Sequence, residues 1–278
     1  MRHRQPFPST GAIVEVKVKI TLITACYNSA GTIRTAMVSV FAQRGVDVEY
    51  IVVDGGSTDG TVDVIKEFAD KTHNSQLTTH NFTFRWISER DRGMYDAINK
   101  GIKMATGDVV GILNADDMLE GEDTLAHVVG GLNRIERVDC VYADVRFVKD
   151  DLKTTVRYYG ASHWRPWMHN WGYMPPHPSV YIRREVFERL GGYKLGYQIS
   201  ADFELMVRFL CRNRIRTAYL PECVVKMRMG GKSTKNWKAN VLLNVENVRA
   251  NRENGYFACF AMMLPKYLFK IWGFVFKR

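Results

Sequence analysis

Residues 17–114 alternate short apolar, β-prone runs with helix-period segments three times over, and this alternation restricts the fold more than any other feature. The runs are "KVKITLITA" (17–25), "EYIVVD" (49–54), "FTFRWIS" (82–88) and "DVVGILN" (108–114). Between them the periodicity predicts helices from about Ser29 to Gln43, from about Thr61 to Asp70, and over "YDAINKGIKMA" (95–105). Consecutive βα units imply a parallel sheet with crossover helices, so the expected class is α/β, a mostly parallel sheet flanked by helices. At 278 residues and 46% hydrophobic content the chain can bury a full core, as one large domain or a domain plus a subdomain.

Such sheets bind ligands outside the carboxyl ends of their strands. The unusual polar residues fall there: Cys26, Tyr27 and Asn28 after the first run, Asp54 with "GGSTDG" after the second, "ERDRG" (89–93) after the third, and Asn114, Asp116 and Asp117 after the fourth. Some of these have a purely local reading. Gly55, Gly56 and Asp59 fit a tight turn with a helix cap. Asp54 ends a strongly apolar strand, where a carboxylate needs hydrogen bonds from a ligand or from the loop's own amides. Arg92 is either part of a solvated charge run or an anion contact beside a helix start. Asp116 and Asp117 repel one another unless a cation intervenes, and oxygen donors of this kind suit Mg²⁺ or Mn²⁺. The alternative is a turn or cap before a helix near Glu122 to Gly131.

In this order, "ITACYNSAGTI", "VVDGGSTDGT", "SERDRGMYDAINKGI" and "GDVVGILNADD" resemble the nucleotide-sugar domain of a family 2 inverting glycosyltransferase of GT-A fold, a Rossmann-like nucleotide-diphospho-sugar transferase architecture. The likeness is close over about 19–130. Beyond it, "PHPSVYIRREVFERLGGY" (176–193), "SADFELMVRF" (200–209) and "MRMGGKST" (227–234) resemble the acceptor-side motifs of small bacterial members that build surface polysaccharides. The resemblance implies that Asp54 binds the base, usually uracil, that Asp116 contacts ribose or metal, and that Asp117 is the main protein ligand of a metal bridging two phosphates. It places Ala25, Tyr27, Asn28, Asp91, Arg92 and Asn114 around the nucleotide-sugar and Asp202 at the general base. A single-step inverting transfer needs such a base, because the acceptor hydroxyl must lose its proton as it attacks. Asp202 also fits a simple helix cap.

Two departures from the family pattern matter. Asn114 stands where many relatives have Asp, which keeps an acceptor oxygen but removes a charge. The Gln/Arg-x-x-Arg-Trp motif and the membrane spans of the processive polymerases are missing, so one sugar per encounter is expected. "GGKST" (230–234) is not a phosphate-binding P-loop, since the required glycine five residues before Gly231 is Lys226. As a closing loop it could bring Lys232 over the donor diphosphate; a plain surface turn reads equally well. "HWRPWMHNWGYMPPHPS" (163–179) reads either as an acceptor wall, with Trp171 stacking on a sugar and His177 near the metal or acceptor, or as an aromatic mini-core under a long loop.

Charge is unevenly placed. Residues 205–278 hold 15 Lys and Arg against three Glu, leaving 24 basic and 26 acidic residues before them. The end of that quarter, "YFACFAMMLPKYLFKIWGFVFKR", suits an element lying in an anionic bilayer surface, though a core-packing helix with a solvated basic face reads similarly. Nucleic-acid motifs are missing, so no nucleic-acid partner is expected. Five scattered cysteines without a CxxC pair suggest neither a disulfide framework nor a zinc site. With no apolar h-region after the N-terminus and no 18-residue apolar run, a cytoplasmic protein peripheral to the inner membrane face is expected.

The expected organisation is an N-terminal extension (1–18), a nucleotide-sugar half (19–135), an acceptor and catalytic half (136–234) and a basic, aromatic tail (235–278). The expected reaction is metal-dependent transfer from a nucleotide-sugar, as a UDP-sugar, to a lipid-diphosphate-linked saccharide. A nucleotidyltransferase would want a glycine- and lysine-rich first loop that "ITACYNSAG" lacks. A non-catalytic sugar-nucleotide-binding module would show gaps among Asp54, Asp117 and Asp202.

Overall fold

A computed structural model describes residues 18–73, 81–134, 138–229 and 237–264. The first four strands follow the apolar runs: β1 Lys19–Cys26, β2 Asp47–Asp54, β3 Phe82–Ser88 and β4 Val109–Ile112. The helices between them are α1 Ile33–Phe41, α2 Thr61–His73 and α3 Met94–Met104. β1 pairs in parallel with β2 and β4, and β2 with β3, giving the order β3-β2-β1-β4. Both faces of β1, β2 and β4 are mostly buried because helices cover both, whereas the edge strand β3 carries Thr83 and Arg85 and has no fully buried residue. Leu22, Tyr50 and Val52 pack with Ile33, Met37 and Leu125 on one side. Ile23, Ile51 and Val53 pack with Ile98 and Phe203 on the other.

Two glycines permit close approaches. A Cβ on Gly101 would lie 2.5 Å from Ile23 Cγ2, so only glycine lets α3 lie this close to β1. A Cβ on Gly111 would lie 2.6 Å from ring atoms of Tyr181, which is fully buried against β4.

The sheet continues through β5 Met118–Leu119, β6 Cys140–Val148, β7 Thr155–Tyr159, β8 Val180–Arg183 and β9 Thr217–Arg228. Its nine strands follow the order β3-β2-β1-β4-β8-β6-β9-β5, with β7 on β6. The added strands are mostly antiparallel; β6 with β9 is the parallel exception. Three helices accompany them: α4 Thr124–Asn133, α5 Arg184–Leu190 and α6 Ala201–Met206, the last running into a π-helical turn.

α7, Trp237–Glu253, packs on α6 with an unusual polarity. Its buried positions include Asn244, Glu246, Asn247 and Asn251, whereas Trp237, Val241 and Val245, at i, i+4 and i+8, are exposed. No described helix is long and apolar enough to cross a membrane.

Candidate active site

The parallel register sets three side chains side by side at one rim: Cys26 opposite Asp54, and Asp54 opposite Ser88. Asp54 is fully buried, and its carboxylate is engaged by its own loop. The amides of Gly56 and Ser57 donate to Oδ2 at 3.1 and 3.0 Å, Ser88 Oγ donates to Oδ2 at 2.6 Å, and Ser57 Oγ donates to Oδ1. Burial pushes the carboxyl up, but the Ser57 and Ser88 hydroxyls and the two amides outweigh it and hold the group below its ordinary value. Of the two explanations the sequence allows for Asp54, the loop's own donors are present.

Asn28, at φ 48°, stitches the first rim loop to the second: its amide donates to Ser57 Oγ at 2.8 Å, and its Oδ1 accepts from the Thr58 amide at 3.0 Å. Asp59 ties the same loops, accepting from the Ala30 amide at 3.0 Å and from the Thr61 amide at 3.0 Å at the start of α2. Ala25 is half-buried on β1, while Tyr27 beside it is 59% exposed at the rim. Asp91 reaches across to β2, where a Cβ on Gly55 would lie 2.5 Å from its Oδ2, and it accepts from the Gly93 amide at 2.8 Å. Arg92 has a side chain 77% exposed and pairs with Asp96 at 3.3 Å at the start of α3.

At the end of β4 the acid pair divides into two environments. Asp117 is buried, with Oδ2 accepting from Asn114 Nδ2 at 2.8 Å and Oδ1 from the Arg228 amide at 3.1 Å. Asp116 is half-buried, and its carbonyl accepts from Arg228 Nε at 3.4 Å. Arg228 is delivered by β9, which pairs antiparallel with β5 just beyond the acids. Burial and the charge of Asp116 push the Asp117 carboxyl up to about 8. A buried carboxylate made this costly by an adjacent one fits a hard cation, and the donors here are all oxygen, as Mg²⁺ or Mn²⁺ prefers. No cluster of three or more His, Cys, Asp or Glu occurs among the described residues, so a cation here would need further oxygens from a diphosphate or water.

Asp202 lies at the start of α6, where Oδ1 accepts from the Phe203 amide at 2.8 Å and lies 3.5 Å from Tyr95 Oη. Tyr95 belongs to the first turn of α3, which starts at the rim after β3, and its one hydroxyl proton is donated to the Ile199 carbonyl. Burial pushes the Asp202 carboxyl up to about 6 against the hydrogen bond from the Phe203 amide and the nearby Tyr95 hydroxyl.

Tyr193 stacks on Tyr95 with ring centroids 5.7 Å apart. Asn99 of α3 clamps Tyr193 in place through its carbonyl and amide, both at 2.8 Å. His177 Nε2 lies 2.5 Å from Tyr193 Oη, and burial pushes the imidazole down to about 4, so it is neutral at physiological pH. His177 thus joins the aromatic wall behind Asp202. Trp171 is half-buried edge-on to Trp167 at 4.9 Å, while Trp164, Met168 and His169 of the same segment are buried.

Lys232 and the rest of "GGKST" lie outside the described residues, as do residues 1–17 and the tail lysines Lys266, Lys270 and Lys277. Sequence reasoning passed over Ser57, Ser88, Tyr95, Tyr193 and Arg228, although each lies within or next to a motif that carried the resemblance. Glu246 gave no signal, because a glutamate in "NVENVRAN" reads as a solvated helix position.

A sheet whose parallel half has a polar carboxyl-end rim, with an oxygen-donor acid pair and a buried carboxylate against α3, is the arrangement of an α/β enzyme with its site at the strand ends. The chain belongs to glycosyl transferase family 2, whose sequence profile matches residues 21–191, and it is a glycosyltransferase. It is 32% identical over 200 residues to a PGL/p-HBAD biosynthesis glycosyltransferase of Mycobacterium bovis (strain BCG / Pasteur 1173P2), covering 72% of this chain and 73% of that one. Its fold matches the mannosyltransferase PcManGT from Pyrobaculum calidifontis, solved with GDP-Man and Mn²⁺, with TM-score 0.65 and 20% identity over 98% of this chain and 76% of that one. It also matches S. aureus TarS 1-349 in complex with UDP-GlcNAc, with TM-score 0.60 and 16% identity over 84% and 67% of the two chains. The fold is that of a GT-A glycosyltransferase, as the sequence predicts.

Proposed function

We propose that this glycosyltransferase is metal-dependent, inverting and non-processive, moving one sugar from a nucleoside-diphosphate sugar, with UDP the favoured nucleotide, to a lipid-linked saccharide in surface-polysaccharide synthesis. One observation carries the reading: Tyr95 of α3, bonded to the Ile199 carbonyl and 3.5 Å from Asp202, sets Asp202 beside the start of α3 at the carboxyl rim that also bears Asp116 and Asp117. In this reading the Asp202 carboxylate takes the proton of the acceptor hydroxyl as that oxygen bonds to the anomeric carbon. The bond from that carbon to the diphosphate breaks, and the nucleoside diphosphate leaves. A carboxylate pushed up to about 6 is ionised at neutral pH yet more basic than an ordinary aspartate. Asp117, Asp116 and Asn114 would hold Mn²⁺ or Mg²⁺, which supplies compensating charge for the departing diphosphate. Asp54 and Asn28 shape the base pocket by fixing the two loops that form it, and Trp171 contributes to the acceptor side.

The name of the mycobacterial relative, a glycosyltransferase of PGL/p-HBAD biosynthesis, supports a role in a biosynthetic glycosyl transfer. A cytoplasmic, membrane-peripheral location is supported by the exposed Trp237, Val241 and Val245 on α7, by exposed Phe257, Phe260 and Leu264 after it, and by the basic C-terminal quarter. The test is nucleotide release from UDP-, GDP-, CDP- and dTDP-sugars with Mn²⁺, Mg²⁺ or EDTA. Metal-dependent release from one donor class is expected. Release that is indifferent to EDTA rejects the metal assignment, and an absence of release with every donor rejects the catalytic reading.

A further inference from the structure

The loop that leads into Asp202 is held from the far side by α7, beyond the stretch that defines the family. Glu246 is 5% exposed, and its carboxylate accepts three consecutive backbone amides: Gln198 at 2.7 Å on Oε1, and Ile199 and Ser200 at 2.9 Å each on Oε2. These amides directly precede α6, where a helix start leaves N–H groups without intrahelical acceptors. A second tie runs from Ser200 Oγ to the Leu243 carbonyl at 3.4 Å. The preceding residues are fastened to the same helix: Arg249 donates to the Gly196 carbonyl at 3.0 Å, and Glu253 takes Lys194 Nζ and Tyr197 Oη, each at 3.0 Å. From the opposite side, Tyr95 of α3 donates to the Ile199 carbonyl. Residues 198–200 are therefore gripped between α3 and α7, and Asp202 follows two residues later.

We propose that Glu246 is a positioning residue for the reaction: its carboxylate fixes the 198–200 backbone, and through it the direction in which Asp202 faces the acceptor hydroxyl. This rests on the reading of Asp202 as general base. It also accounts for a glutamate on the buried face of α7, where Glu246 serves the loop before Asp202 and Asn251 bonds the His169 ring and carbonyl. The titratable groups facing Asp202 are Tyr95 on α3, Tyr193 in the loop after α5, and Glu246 on α7. The carboxylate of Glu246 favours the protonated form of Asp202, a smaller effect than burial. Removing it without changing shape should both loosen the loop and make Asp202 a weaker base.

The experiment compares Glu246→Gln, Glu246→Asp and Asp202→Asn in the full chain. It follows nucleotide release from UDP-glucose, UDP-N-acetylglucosamine and GDP-mannose across about pH 4–8, about two units either side of the expected acid limb. For Glu246→Gln, kcat is expected to fall about tenfold with donor KM changed less than about twofold. The acid limb should move to lower pH by roughly half a unit or more. Glu246→Asp keeps the charge but shortens the reach, so kcat should fall several-fold with the limb in its wild-type place. An unchanged kcat in either folded variant overturns the proposal, as does a Gln variant in which the melting temperature drops while the limb stays put. Should Glu246→Gln fail to fold, the Asp variant alone decides by its kcat. If Asp202→Asn releases nucleotide as fast as wild type, the base assignment fails and the positioning role with it. If Asp202→Asn is inactive and Glu246→Gln unaffected, only the positioning role is lost.

Discussion

Replacing Asp202 by Asn should make the protein more stable and less active, and both effects follow from its burial. The carboxyl is raised from 3.8 to about 6. A group whose pKa is higher folded than unfolded adds stability that is fully present below the unfolded value and lost as the pH rises through the folded one. At pH 7.5 the ionised side chain therefore weighs against folding, by an upper bound of about 3 kcal/mol at about 1.4 kcal/mol per unit. Asn is isosteric, and its Oδ1 retains the Phe203 amide as donor. Allowing for relaxation around the site, a gain of about 1–2 kcal/mol at pH 7.5 is expected, a rise in Tm of roughly 2–6 °C. Most of the gain should be gone by about pH 4, where the folded side chain is protonated and the unfolded one, with its ordinary value of 3.8, is partly so. Paired melts at pH 7.5 and pH 4 test the stability, and nucleotide release tests the activity, which should fall at least about 100-fold for lack of a base. An Asn variant less stable than wild type by the same amount at both pH values would refute the reasoning.

Gly111→Ala places a Cβ 2.6 Å from the buried Tyr181 ring, and urea denaturation should show a loss of about 1–3 kcal/mol. Ser88→Ala removes a 2.6 Å donor from Asp54, whose carboxyl lies below its ordinary value. Stability of that kind is present above the unfolded pKa and lost as the pH falls, so the variant should be about 1–2 kcal/mol weaker at pH 7, with the difference closing toward pH 3. Asp117→Asn should lower metal-stimulated nucleotide release about 100-fold and abolish any Mn²⁺-induced rise in Tm, read by release assay and thermal melt.

What could be read from the sequence was whatever repeats locally. β3 spans residues 82–88 as its apolar run predicts, and the rim follows because four strands end in polar residues. Element ends moved where a side chain does other work. α1 begins at Ile33 rather than near Ser29, because the Ser29 carbonyl closes a turn with the amides of Thr32 and Ile33 while its amide binds Thr61 Oγ1. The partners of the site residues were not legible, since they arrive over long separations: Arg228 reaches Asp117 across 111 positions, and Tyr95 reaches Asp202 across 107. α7 was obscured for a different reason. Its buried face is mostly Asn and Glu, with Glu246 holding the 198–200 amides and Asn251 holding His169, so a pattern search for an apolar inner stripe finds mainly its outward residues.

The central claim is a single inverting displacement with Asp202 as base, and the most direct measurement is ¹H NMR of the sugar released from the hydrolysed donor, recorded before mutarotation. The anomer opposite to the donor's should appear first, and Asp202→Asn should cut its formation at least about 100-fold while still binding the nucleotide. Release of the retained anomer, or undiminished release by the Asn variant, would contradict the claim.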